Sequence, residues 1–296
     1  MFYGSIVALV TPMDSSGRID ETAFTRLLDF QLENGSSGVV VAGTTGESAT
    51  LTDDEADRLL ELTLGEVDGR VPVIAGTGGP STARTIARTQ RAAALGADAA
   101  LVVAPSYNRP PQAGLVAHYR AVARQGGLPV LLYNVPARTG VDILPATVAE
   151  LTDEVGIVAH KEAVGTADRI REQAAVCGGR IDFLSGDDGS CLEAMTSGAS
   201  GVISVAANVD PARMSRLCNA VAAGDHDLAG EIDRELRPLY RLLGVESNPI
   251  PVKWMLCAMG MIDSGIRLPL VPLDSTHRPD AESCLETLGL LPGRTS

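Results

Sequence analysis

Lysine is almost missing from this chain of 296 residues. Of its 24 basic residues only Lys161 and Lys253 are lysines; the rest are arginines. Aromatic residues make up 3%, with a single tryptophan. The 37 acidic residues leave a net charge of −13, which repels phosphate backbones and argues against nucleic acid as a partner. No apolar run approaches the ~18 residues that span a bilayer. The first apolar stretch, Ile6–Val10, is too short for a signal peptide and lacks a basic flank. Neither membrane insertion nor export is expected. The five cysteines (Cys177, Cys191, Cys218, Cys257, Cys284) are scattered without a C-x-x-C pair, as expected of reduced thiols in a cytoplasmic protein. The four histidines (His118, His160, His226, His277) show no ligand spacing, so no metal is expected.

What remains is an ordinary globular mixture, 45% hydrophobic and 21% charged, which excludes disorder, collagen and coiled coil. Short apolar runs alternate with amphipathic helical patterns. The runs are Ile6–Val10, Val39–Val41, Val71–Ala75, Ala99–Val103, Val130–Tyr133, Ile157–Lys161, Ile181–Ser185 and Val202–Val205. Helix starts are marked by Asp20, by a capping box at Thr52-Asp-Asp-Glu55, and by Pro145 and Pro211 at first helical positions. Eight strand–helix units before Gly224 predict an α/β fold, a (β/α)8 TIM barrel. The rival, a doubly wound open sheet, more often carries G-x-G-x-x-G after its first strand; here that turn is Val10-Thr11-Pro12-Met13. The expected organisation is a catalytic barrel over 1–224 and a C-terminal helical extension over 225–296. Three helices are predicted there, near 225–243, 249–260 and 279–290.

Barrel active sites lie at the C-terminal ends of the strands, which selects the candidates. Lys161 ends the sixth run. Strict alternation places it on one face with Ile157 and Ala159 and turns His160 away. A lysine inside an apolar barrel mouth is costly to keep charged, which suits an amine that forms a Schiff base with a carbonyl substrate. The alternative is a barrel lysine paired with Glu162 or Asp187. Gly43-Thr44-Thr45-Gly46 offers hydroxyls and backbone N–H groups to a carboxylate or phosphate, or is a plain loop. Tyr133 and Tyr107 stand at strand ends, where a phenol can relay protons or merely pack at the rim. Arg138, just past the fifth run, can hold a carboxylate bidentately or be a solvated loop residue. Lys253, in Asn248-Pro-Ile-Pro-Val-Lys-Trp254, falls on the helical extension and reads as structural or as a support to the site, with a direct role as the alternative.

Together, Gly43-Thr-Thr-Gly-Glu47, Tyr133-Asn-Val-Pro136 with Arg138-Thr-Gly140, and Lys161-Glu-Ala163 resemble the dihydrodipicolinate synthase family of the pyruvate-dependent class I aldolase superfamily. The resemblance runs from Gly4 through Trp254. It implies that Lys161 forms the Schiff base with pyruvate, with no separate cofactor. It further implies that Thr44 and Thr45 receive the pyruvate carboxylate and that Tyr133 shuttles protons. Tyr107 would enter the neighbouring subunit's site and complete a Tyr133–Thr44–Tyr107 relay. Arg138 would bind the carboxylate of L-aspartate 4-semialdehyde, and Gly186 and Ile203 would line the pyruvate pocket. The implied reaction opens diaminopimelate and lysine synthesis, and the implied assembly is a homotetramer, a dimer of dimers.

Thr44 and Arg138 favour this family over N-acetylneuraminate lyase, which typically has serine at the first position and lacks the arginine. Sugar-acid aldolases and a non-catalytic pyruvate or amino-acid binding module are the remaining alternatives. Two departures stand out. At the positions where some members bind inhibitory L-lysine, this chain has Ser48, Ala49, Asp53, Ala56, Pro80, Arg84 and Ser106, where the lysine-binding pattern has imidazoles, an amide, an acid and a phenol at the last five. His160 replaces the usual aliphatic residue, with only a packing effect expected.

Overall fold

In a computed structural model, residues 2–291 are described. Eight parallel strands close on themselves in sequence order: β1 (Gly4–Ala8), β2 (Gly38–Val41), β3 (Val73–Gly76), β4 (Ala99–Val103), β5 (Val130–Asn134), β6 (Ile157–Glu162), β7 (Asp182–Ser185) and β8 (Gly201–Ser204). The helices between them are α1 (Glu21–Glu33), α2 (Asp53–Val67), α3 (Thr82–Leu95), α4 (Gln112–Gln125), the short α5 (Pro136–Thr139), α6 (Pro145–Leu151), α7 (Ala167–Cys177) and α8 (Cys191–Thr196). After β8, α9 (Pro211–Ala222) packs back on β1 as the helix of the eighth unit, and beyond it come α10 (His226–Leu243), α11 (Ile250–Ala258) and α12 (Arg278–Leu288). This is the expected (β/α)8 barrel with C-terminal helices. The one-turn helix α5 was not expected.

Local chemistry accounts for the helix starts. The Asp20 carboxylate accepts the Ala23 N–H at 2.9 Å, and Thr52 and Glu55 close the capping box reciprocally. Proline occupies the first turn of α6, α9, α11 and α12, where its missing N–H costs nothing. The strands read as continuous apolar runs because both faces are covered. Inside, Ile6, Ala8, Val40, Ile74, Leu101, Leu131, Ala159, Leu184 and Ile203 fill the barrel. Outside, residues such as Val7, Val39, Val102, Leu132 and Val202 pack under the helices. Where β8 meets β1 the backbones approach so closely that a Cβ on Gly201 would collide with the Gly4 backbone, so only glycine closes the barrel there.

One irregularity decides what the sixth strand presents. Val130 pairs with Ile157 but Leu131 pairs with Ala159, so Val158 is an extra residue. Ile157 therefore packs outward under the helices, not on the face of Ala159 and Lys161 as strict alternation predicts. Beyond the bulge the expected phase returns, with Lys161 on the face of Ala159 and His160 turned outward toward Glu162.

Candidate active site

Lys161 and Tyr133 are register partners on β6 and β5. Both side chains enter the top of the barrel, with the Lys161 Nζ 4.3 Å from the centre of the Tyr133 ring. Lys161 is buried, and among the described residues no carboxylate forms an ion pair with it. The two carboxylates weighed as partners are engaged elsewhere. Glu162 points outward, accepting from Asn134 Nδ2 at 3.0 Å, Val164 N–H at 2.8 Å and Gln173 Nε2 at 3.2 Å. Asp187 caps the next turn, taking the Ser190 N–H at 3.0 Å and its hydroxyl at 2.7 Å. Gly186 lies against the Lys161 stem: a Cβ there would stand 3.0 Å from Lys161 Cε. Ile203, buried on β8, belongs to the same interior cluster as Tyr133.

The loop Gly43–Glu47 follows β2. Thr45 is buried and its hydroxyl accepts from Asn248 Nδ2 at 3.0 Å; Thr44 is half-buried. Gly46 sits beneath them, its carbonyl accepting from the Thr11 hydroxyl at 2.7 Å. Arg138, exposed on α5, donates to the Asn248 carbonyl at 3.0 Å. Asn248 thus ties Thr45 to Arg138, a role its place in an Asn-Pro-Ile-Pro run did not reveal. Beside it, Gly186, Asp187, Tyr240 and Arg241 border a cavity of about 290 Å³ between the barrel mouth and α10. Tyr107 lies apart: it is 95% exposed, has a left-handed backbone (φ 70°), and makes no hydrogen bond to Thr44 or Tyr133 within the chain.

Lys253 reaches the loop after β2 from the C-terminal extension. Its ammonium, buried on α11, donates to Glu47 Oε1 at 2.5 Å. Burial pulls its pKa below the usual lysine value, against the pull of Glu47. His160 exceeds the packing effect expected of it. Fully buried, it places Nε2 3.4 Å from Glu162 and joins a polar cluster with Asn134, Gln173 and Arg169 behind Lys161. The cysteines are poor nucleophiles, since burial pushes the Cys177 and Cys218 thiols up to about 12. Asp53, at a position where some members of the resembled family bind L-lysine, is already paired with Arg88 Nε at 2.7 Å.

Known proteins are similar to almost the whole chain. A 4-hydroxy-tetrahydrodipicolinate synthase of Stenotrophomonas maltophilia is 52% identical over 279 residues, 94% of each chain. One from Methylococcus capsulatus is 48% identical over 291 residues, 98% of this chain and 100% of its own. Among solved structures, the chloride-inhibited dihydrodipicolinate synthase of Acinetobacter baumannii complexed with pyruvate superposes with a TM-score of 0.97 at 42% identity, covering 98% of this chain and 100% of that one. A monomeric dihydrodipicolinate synthase variant matches with a TM-score of 0.96 at 40% identity, covering 98% of each chain. The Dihydrodipicolinate synthetase family matches residues 1–288, and the chain belongs to it.

Proposed function

We propose that this chain condenses pyruvate with L-aspartate 4-semialdehyde to give 4-hydroxy-tetrahydrodipicolinate, the first committed step of diaminopimelate and lysine synthesis. The observation that carries the reading is Lys161: a buried amine at the barrel mouth, against Tyr133 and Gly186, with no carboxylate among the described residues paired to it. The Lys161 Nζ attacks the pyruvate C2 carbonyl and the carbonyl oxygen leaves as water, forming an imine. Loss of a C3 proton gives the enamine, whose C3 attacks the aldehyde carbon of the second substrate; the aldehyde oxygen takes up a proton and becomes the 4-hydroxyl. The substrate's own amine then attacks the imine carbon, closing the ring and releasing Lys161. We assign the proton transfers of the first steps to the Tyr133 phenol, the titratable neighbour whose ring centre stands 4.3 Å from the reacting nitrogen.

Thr44 and Thr45 hold the pyruvate carboxylate, with Gly186 and Ile203 shaping the pocket, and Arg138 holds the carboxylate of the semialdehyde. No cofactor beyond the imine is required by this chemistry. An exposed tyrosine in a strained conformation supports Tyr107 as a residue that completes the relay in a neighbouring subunit of a cytoplasmic homotetramer. Borohydride reduction in the presence of pyruvate tests the central step. It should inactivate the enzyme and add the label to Lys161, and Lys161→Arg should abolish labelling. A label on Lys253 instead would overturn the assignment.

A further inference from the structure

We infer that the buried Glu47–Lys253 ion pair is a positioning device: from the C-terminal extension it fixes the loop that carries Thr44 and Thr45, and so sets the rate at which Lys161 forms its imine. The inference rests on the imine chemistry proposed above.

The loop does not hold this shape by local preference. It is flanked by two non-glycine residues in the left-handed region, Ala42 (φ 52°) and Glu47 (φ 58°). Such residues persist only where surrounding structure over-determines them. Here the restraint comes from more than 200 residues away. The Glu47 carboxylate accepts from Lys253 Nζ at 2.5 Å and from the Arg267 N–H at 3.2 Å. The Arg267 guanidinium also grips Glu55, at 2.8 and 2.5 Å, and the Thr50 carbonyl at 2.8 Å, just beyond the loop. Asn248, on the same extension, reaches Thr45. Both partners of the ion pair are almost wholly shielded, with side-chain exposures of 5% and 1%. A pair this deep gains little over two apolar residues, because desolvation offsets attraction. Breaking it from one side, however, strands a charge. Its evident use is therefore to specify one conformation for a loop that would otherwise relax.

The test separates placement from folding. Purified variants are treated with pyruvate and borohydride, and both the rate and the final extent of Lys161 labelling are followed. Lys253→Met, which strands the Glu47 carboxylate, should label fully but about 10- to 100-fold more slowly, the scale of an ångström's misplacement. Its kcat should fall in parallel. Glu47→Gln with Lys253→Met leaves no lone charge and should label faster than the single variant, yet slower than wild type. Lys253→Arg, which keeps the charge, should recover most of the rate. A pair serving stability alone would instead lower the extent of labelling and leave the rate of the folded fraction unchanged, which overturns the inference. If Lys253→Met does not fold, the double variant decides: slower labelling supports the inference and a wild-type rate refutes it. Wild type that fails to label Lys161 would refute the proposed reaction itself, a result distinct from either.

Discussion

Replacing Gly186 by alanine adds one methyl group at the most sensitive point of the pocket. The new Cβ would stand 3.0 Å from the Glu162 carbonyl oxygen, 3.1 Å from its carbon and 3.0 Å from Lys161 Cε. Gly186 is not in the left-handed region, so alanine's backbone preferences do not complicate the result. The Glu162 carbonyl cannot yield: it sits in β6 and already accepts the Gly186 N–H at 2.7 Å. The flexible lysine stem must retreat. Carbon atoms rest at about 3.5–4.0 Å, so Cε moves by roughly 0.5–1 Å. Holding lysine off its preferred rotamer costs about 0.5–1.5 kcal/mol, and overpacking of this kind costs about 1–3 kcal/mol of stability. Catalysis suffers more. A displacement near 1 Å lowers rates about 100-fold, or roughly 2.7 kcal/mol of barrier. The assay is the single-turnover rate of pyruvate labelling at Lys161, with Gly189→Ala as control, since that Cβ meets only an Asp187 oxygen at 3.6 Å. Gly186→Ala should label about 100-fold more slowly and the control at the wild-type rate. A folded Gly186→Ala protein that labels like wild type would show that the reacting amine does not lie against this glycine.

Arg138→Ala should impair use of L-aspartate 4-semialdehyde by about 10- to 150-fold, the worth of one charge-assisted hydrogen bond, while pyruvate labelling stays near normal; equal losses in both would place Arg138 in general support of the site. L-Lysine should inhibit weakly, with no half-inhibition below about 1 mM, because Arg84 repels an ammonium and Asp53 is already held by Arg88; initial rates with and without millimolar L-lysine check this. His118 should govern part of the acid response of stability. Its Nδ1 lies 2.9 Å from the Thr82 hydroxyl, its buried Nε2 has no partner among the described residues, and desolvation pulls its pKa down to about 4. The folded value is below the unfolded one, so the unfolded chain binds more protons between about pH 6.5 and 4, and stability falls as pH drops through that window. The loss amounts to something on the order of 3 kcal/mol, and His118→Leu should flatten this limb in denaturant titrations; an unchanged slope would refute the attribution.

The alternation of apolar runs and helical patterns carried the barrel, because parallel strands covered on both faces leave an unmistakable signature. Lys161 and Tyr133 were legible for the same reason: the rim position of a strand end follows from counting. The bulge at Val158 was not, since an extra residue in a strand of Ile, Val and Ala changes no residue type that a pattern can register. Lys253 was conspicuous by rarity, yet its partner could not be found, because Glu47 lies 206 residues away. Asn248 was hidden for a similar reason. For His160 alternation predicts packing alone, yet its ring meets Glu162 on the outer face of the strand. Sequence periodicity reports which way a side chain points; it does not report what comes from elsewhere to meet it.

The contacts of the C-terminal extension also bear on the order in which the molecule can become active. Asn248 meets Thr45 across 203 residues, and Arg267 meets Glu47 across 220. Contacts of such separation are slow to form, since the loop they close must be ordered before they contribute. During synthesis Lys161 emerges well before the segment whose side chains meet the Gly43–Glu47 loop. The contacts that hold the Gly43–Glu47 loop are therefore complete only when nearly the entire chain has been made.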